Sequence, residues 1–411
     1  MKPKTRSILV ISVANGFGAF GYGLAVPFLA IYLSAYKGVP AGAIGVMLAL
    51  AMGATAIASA ISGEICDTFG RKRVMMVSLV LRAIFAFAMA AAMFVDAHYM
   101  WTMFFHYAGS FVGAFFRPAS NAWIADNTTQ EERVMAFGFM RIGMNLGWCL
   151  GPALGGFLAK TSFVLGFNLT GVVFLATVLF VQLYIKESMS KEQRRKSNFV
   201  DMVIDLKDRN LARLCTYTFL ISMVLSQLVV GLSLHVTVRL GMSEKAVGML
   251  FALQGLAVVL FQYHVGKVIS TKMRLTTNLA LGSLLYAIGF GSIGFTATFF
   301  AIAAGVILSA VGEMFVLPAG HSLASNLAPD NKRGRYLGLY ILSNMGGNAA
   351  GIFIAGLLMQ HISPVHAAGP WIVVGLLGLM AGVLFYNMRG GLTPHQDGLH
   401  PPVPIVKQIP S

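Results

Sequence analysis

The chain has 411 residues, of which 57% are hydrophobic and only 11% charged. Soluble domains carry about 25% charged residues, so the composition excludes an ordinary soluble enzyme or binding domain and points to an integral membrane protein. The net charge of +15, from 30 Lys and Arg against 15 Asp and Glu, raises nucleic acid as a partner. Its placement along the chain argues for membrane orientation instead.

A hydrocarbon core of about 30 Å takes roughly 20 apolar residues per helix. Twelve such runs follow one another, at about 8–34, 42–62, 74–95, 100–124, 135–159, 163–185, 214–237, 246–267, 276–295, 298–322, 336–359 and 369–388. Their length, continuity and richness in Ala, Leu, Met and Gly predict helices rather than barrel strands. With the N-terminus (Lys2, Lys4, Arg6) assigned to the cytoplasm, alternate gaps hold most of the cations, among them Arg71, Lys72, Arg73, Arg133, Lys186, Arg274, Lys332 and Arg335. The opposite gaps hold Lys37, Lys160, Arg239 and Lys245. By the positive-inside rule, this predicts a multi-pass inner (plasma) membrane protein with both termini cytoplasmic and no nucleic-acid partner.

The first run contains GFGAFG, Gly16 to Gly21. It spells a dinucleotide fingerprint but follows no strand, so it reads as helix-packing glycine. It also lacks a small-residue cleavage site and is too long for a signal peptide. Between the second and third runs stands GEICDTFGRKR, Gly63 to Arg73. Gly63 permits close helix approach, Gly70 a tight turn, and Asp67 can accept charge-assisted bonds on the cytoplasmic face. A plain topology-setting loop would explain Arg71 and Lys72 but not the spaced glycines and acid.

The third run carries Arg82, readable as a cavity cation or as the partner of a carboxylate or carbonyl. In the fourth, His106, Ser110, Gly113, Arg117 and Asn121 share one helical face. Arg141 opens the fifth, which continues into GWCLGPALGG. There Gly143, Gly147, Gly151 and Gly155 form a smooth ridge, with Gly156 beside it. Pro152 frees a carbonyl and can bend the helix. Cys66, Cys149 and Cys215 lie in or beside apolar helices, with neither disulfide nor metal-site spacing. No cofactor and no metal are expected.

The longest loop, about 186–212, splits the helices six and six. Its KESMSKEQRRK tract reads as solvated, and FVDMVIDLKDRNLARL as a surface helix. The expected organisation is therefore an N-terminal six-helix bundle (1–185), a linker (186–212), a C-terminal six-helix bundle (213–389) and a disordered tail (390–411). The halves repeat with an offset of about 200 residues: Phe115 with Phe315, Pro118 with Pro318, Arg133 with Arg333, Gly138 with Gly338, Gly147 with Gly347, Gly151 with Gly351 and Gly156 with Gly356. Internal duplication of this kind is a hallmark of transporters.

The tenth run contains SAVGEMFVLPAGH, Ser309 to His321. Its Glu313 is the only acid deep in any run, and the repeat maps it onto Gly113. Ionisable groups at this depth are costly and default to functional readings. Burial disfavours the ionised carboxylate and a nearby Arg favours it, so a site poised between the two can take up and release a proton. The competing reading is a structural ion pair with an Arg or His. Gln227, Gln254 and His321 are further cavity candidates, and Trp101 and Trp371 are expected interface anchors.

GEICDTFGRKR resembles the G-x-x-x-D-x-x-G-R-K signature of the major facilitator superfamily, matched at Gly63, Asp67, Gly70, Arg71 and Lys72. GWCLGPALGG resembles the G-x-x-x-G-P-x-x-G-G motif of its drug/proton antiporter branches, matched at Gly147, Gly151, Pro152, Gly155 and Gly156. The resemblance spans about residues 7–390. It implies an all-α fold of two pseudo-symmetric six-helix bundles, in which helices 1, 4, 7 and 10 line a central cavity. It further implies a cytoplasmic latch at the first motif that holds the outward-facing state. The second half has a worn copy of that motif, Gly266 to Arg274, with Ser270 in place of the acid. His106 stands where the family's helix-4 motif has an Arg, and the acid that this branch often carries in helix 1 or 4 is missing.

Together these readings predict a monomeric secondary transporter with no enzymatic activity, its partners a small-molecule substrate, protons and membrane lipids. The expected activity is proton-coupled efflux of lipophilic or amphiphilic compounds by alternating access. Export or flipping of a lipid or anionic metabolite is the alternative, and a non-transporting membrane sensor a further one. Abundant Met and Phe (23 and 30 residues) suit an adaptable apolar pocket.

Overall fold

The structure is a computed structural model and describes residues 3–128, 130–188, 208–329 and 333–398. The first half comprises α1 (Pro3–Ile31), α2 (Ala41–Phe69), α3 (Arg71–Phe94), α4 in two pieces (Tyr99–Gly113 and Phe116–Asn127), α5 (Gln130–Thr161) and α6 (Phe163–Tyr184). The second comprises α7 (Arg209–Leu225, continued by Gly231–Leu234), α8 (Glu244–Lys272), α9 (Leu275–Ile293), α10 (Phe299–Leu327), α11 (Arg333–Leu357) and α12 (Gly369–Met388). Eleven spans among the described residues are long and apolar enough to cross a membrane. The twelfth, α4, is interrupted at Ala114–Phe115, just before Arg117 and Pro118. In a bilayer each backbone group must be satisfied internally, so such a break persists only where the surrounding helices enclose it.

The repeat visible in the sequence is a repeat in packing. A Cβ on Gly143, Gly147, Gly151 or Gly155 would lie 2.3–2.6 Å from the carbonyl oxygens of Ser12, Gly16, Phe20 and Leu24, so α5 rests its glycine ridge directly on the backbone of α1. In the second half Gly347 and Gly351 face the carbonyls of Phe219 and Met223 in the same way, setting α11 against α7. α1 and α7 both end in a π-helical turn, Tyr32–Tyr36 and His235–Arg239.

The most extensive contacts between the bundles are made by two helix pairs, α5 with α8 and α2 with α11. Their closest approaches lie in the half remote from the termini. Gly156 meets Gly248, Gly45 meets Gly356, and the Gly42 amide donates to Gln360 Oε1 at 2.7 Å. Towards the termini, Gly53 on α2 and Gly138 on α5 meet nothing within 4 Å. Backbone-close packing between the bundles thus lies at the far end, and towards the termini these two glycines face open space while the long Arg141 and Gln262 side chains bridge α5 and α8 at 3.3 Å. On the far face Lys37 bridges the turns by hydrogen-bonding Asp96, a contact that holds its ammonium above the usual lysine range.

Three sequence expectations change here. Residues 209–212 belong to α7, with Asp208 capping its start through the amides of Asn210 and Leu211 (2.8 and 3.2 Å). The linker from 189 to 207, with most of its expected surface helix, lies outside the described residues. Residues 390–398 are not loose: Asp397 is fully buried and accepts from the Thr276 amide and hydroxyl, both at 2.8 Å, at the start of α9. Trp371 is fully buried and stacks on Phe290 rather than anchoring at the interface, whereas Trp101 is exposed.

Candidate functional site

Glu313 meets neither Arg nor His. Gln254 Nε2, on α8, donates to Glu313 Oε2 at 2.7 Å. Among the described residues no cationic nitrogen lies within ion-pair distance of the carboxylate. Arg141, on α5 of the other bundle, interacts with it electrostatically across the gap, while donating to Gln262 Oε1 at 3.3 Å. Gln254 and Gln262 stand eight residues apart on α8, so a single helix face holds the carboxylate and faces the opposing arginine. Tyr286 on α9 also interacts with Glu313, and its hydroxyl is buried without a partner.

Arg117 on α4, Arg141 on α5 and His321 on α10 are exposed, yet they interact electrostatically with one another from opposite bundles. Their exposed surface is therefore that of the space between the bundles, on the side of Glu313 nearer the termini. His321 Nδ1 bonds the Leu317 carbonyl at 2.8 Å, and its ring meets Tyr340 edge-on at 4.8 Å.

Arg82 does not join this group. It sits within the first bundle, its guanidinium 4.6 Å from the Phe174 ring centroid and 5.5 Å from that of Tyr22. His106 is buried and interacts with Arg82 electrostatically. Gly113 leaves room for the guanidinium, because a Cβ there would lie 2.8 Å from its Cδ and Nε. Burying such a cation costs several kcal/mol, and each ring returns about 0.5–2 kcal/mol. The rings offset part of that cost. Gln227 is no cavity residue: it is buried and staples α7 to α11 by donating to the carbonyls of Met223 (3.0 Å) and Gly351 (2.9 Å). The expected face of α4 is divided, with His106 and Gly113 turned to Arg82 and Arg117 beyond the helix break.

At the α2–α3 turn Gly70 has φ +92°, a conformation that favours glycine. Glu187, just past α6, accepts from the Arg71 and Lys72 amides (2.8 and 3.1 Å) and so caps the start of α3. Arg71 Nε pairs with Asp126, at the end of α4, at 3.2 Å, and Lys72 Nζ donates to the Gln182 carbonyl. These contacts stay within the first bundle. The side chains of Asp67 and Arg133 lie outside what the structure describes, as does the burial of Gly63. The second motif divides its work: Gly147, Gly151 and Gly155 pack on α1, while Gly156 and the Pro152 carbonyl meet Gly248 across the seal.

Sequence reasoning missed Tyr22 and Phe174 as the setting of Arg82, and Asp126 and Glu187 as partners of the first motif. The aromatic residues carry no mark that separates them from other membrane-helix filler. The two acids could have been noticed, since each ends a span on the same face as Arg71.

A family profile of the Major Facilitator Superfamily matches residues 11–200 and 214–407. Multidrug resistance protein 2 of Bacillus subtilis (strain 168) is 26% identical over 400 residues, covering 92% of this chain and 89% of that one. Tetracycline resistance protein, class B, of Escherichia coli is 24% identical over 408 residues, covering 97% and 98%. Among solved structures, that of the peptide transporter POT in complex with sulfate superposes with a TM-score of 0.77 at 15% identity, covering 96% of this chain and 95% of that one. At that identity the likeness is one of fold.

Proposed function

The chain belongs to the Major Facilitator Superfamily, and within it we propose a proton-coupled exporter of lipophilic or amphiphilic compounds that works by alternating access. The observation that carries the coupling is Glu313, bonded to a neutral glutamine and facing Arg141 across the bundle interface without an ion pair. Ionised, Glu313 attracts Arg141 and favours closure of the termini side. Protonated, it loses that attraction, and the bundles are free to part there. A proton taken up on one side and released on the other thereby biases which side is open.

The close packing at the far end and the open space beside Gly53 and Gly138 towards the termini support a state that admits solute from the termini face. In this reading that face is the cytoplasmic one of the inner membrane, and the protein acts as a monomer. The turn carrying Gly70, Arg71 and Lys72, with Gly63 and Asp67, is the cytoplasmic gate, and the Gly156–Gly248 contact is the opposite one. The relatives named for multidrug and tetracycline resistance support the efflux direction and an adaptable pocket.

The test is tetracycline flux in proteoliposomes with an imposed pH gradient. The Glu313→Gln variant is expected to keep downhill movement and to lose gradient-driven uphill transport. Full uphill transport by that variant would sink the assignment of Glu313.

A further inference from the structure

The chamber around Arg82 holds a cation that no described residue neutralises. Among the described residues its guanidinium has no ion pair and no hydrogen-bond acceptor, only the faces of Phe174 and Tyr22. Arg82 nonetheless keeps part of its surface accessible, whereas His106 beside it is buried. The chamber wall continues through Tyr22 to Trp148 on α5, whose ring lies 5.6 Å away. Five guanidinium donors in a rigid fork, walled by aromatic faces and placed in a low-dielectric bundle, match the oxygens of an acid carried on an apolar body. A cationic solute would meet repulsion from Arg82. Arg117 and Arg141, on the approach from the termini side, add positive potential along the way in.

We propose that this chamber binds the acidic group of an amphiphilic organic anion, a carboxylate or sulfonate whose oxygens take the Arg82 donors while its apolar body lies against the half-buried Tyr22 and Trp148. The assignment names the substrate class for the transport reading above and rests on it only in taking the chamber as the solute site. Equilibrium binding without any gradient tests it, so its failure and that of proton coupling are separate results.

The full chain in nanodiscs of neutral lipid is titrated calorimetrically with 2-naphthoate, 2-naphthylmethylammonium and 2-naphthol, which share one ring system and differ in charge. Naphthoate is expected to bind tighter than the other two by about tenfold or more. Arg82→Gln should bring it down to the level of naphthol, and Arg82→Lys should fall between, since it keeps the charge but not the fork. Gly113→Ala, which pushes on the guanidinium without removing it, should also weaken naphthoate and serves if Arg82→Gln does not fold. Ammonium binding as tight as naphthoate overturns the proposal, as does the absence of naphthoate binding. So does an affinity unchanged within about twofold in both Arg82→Gln and Gly113→Ala. Binding that vanishes in nanodiscs of phosphatidylglycerol would assign the site to an anionic lipid headgroup and overturn the solute assignment.

Discussion

Replacing Gly156 by Ala should shift the transporter towards the state open on the far side. A Cβ at 156 would stand 2.8 Å from the Glu244 carbonyl oxygen and 3.0 Å from Gly248 Cα, both backbone atoms of α8. Ordinary contact begins at 3.4 Å, so α5 and α8 must separate by about 0.6 Å (3.4 minus 2.8). Neither atom can swing aside as a side-chain tip would. Overpacking of this kind costs about 1–3 kcal/mol. The cost falls only on the state in which the two helices touch, so the ratio of the two states should move by about 5- to 150-fold. Cys149 reports on the seam, since its thiol donates to the Ala252 carbonyl at 3.5 Å and Gly255 packs against it. With Cys66 and Cys215 replaced by Ser, the rate at which a charged thiol reagent modifies Cys149 in membranes should rise by about tenfold in Gly156→Ala. Gly138→Ala, whose Cβ would meet open space, should leave the rate unchanged. An equal rate in Gly156→Ala and its parent would refute the view that this contact is the seal.

Two further outcomes concern stability. Asp397→Ala removes the acceptor of the Thr276 amide and hydroxyl and leaves buried donors unpaired, at a cost of about 1–3 kcal/mol; thermal unfolding in detergent should occur earlier, with solute binding retained. Gly70→Ala forces a side chain into φ +92° against the Glu187 carboxylate. It should cost about 1–3 kcal/mol, read in the same assay, and a melting curve matching wild type would contradict the strained-turn argument.

Membrane insertion of each span, the six-plus-six division and the duplication were legible in the sequence. A bilayer requires each helix to satisfy its own backbone, so the apolar runs locate the helices, though not their ends, as α2 runs on to Phe69, nor the interruptions of α4 and α7. The glycine register carried the repeat, because Gly147 and Gly347 each sit where two backbones touch. Glu313 stood out for the same local reason, as a lone carboxylate amid apolar residues. What touches what was not legible. Lipid is as apolar as a leucine side chain, so hydropathy does not say which face of a helix meets a neighbour and which meets the membrane. Only the rotation and crossing of packed helices set Gln254 rather than an arginine against Glu313, buried Trp371, turned Gln227 into a backbone staple and set Arg82 against the rings of Tyr22 and Phe174.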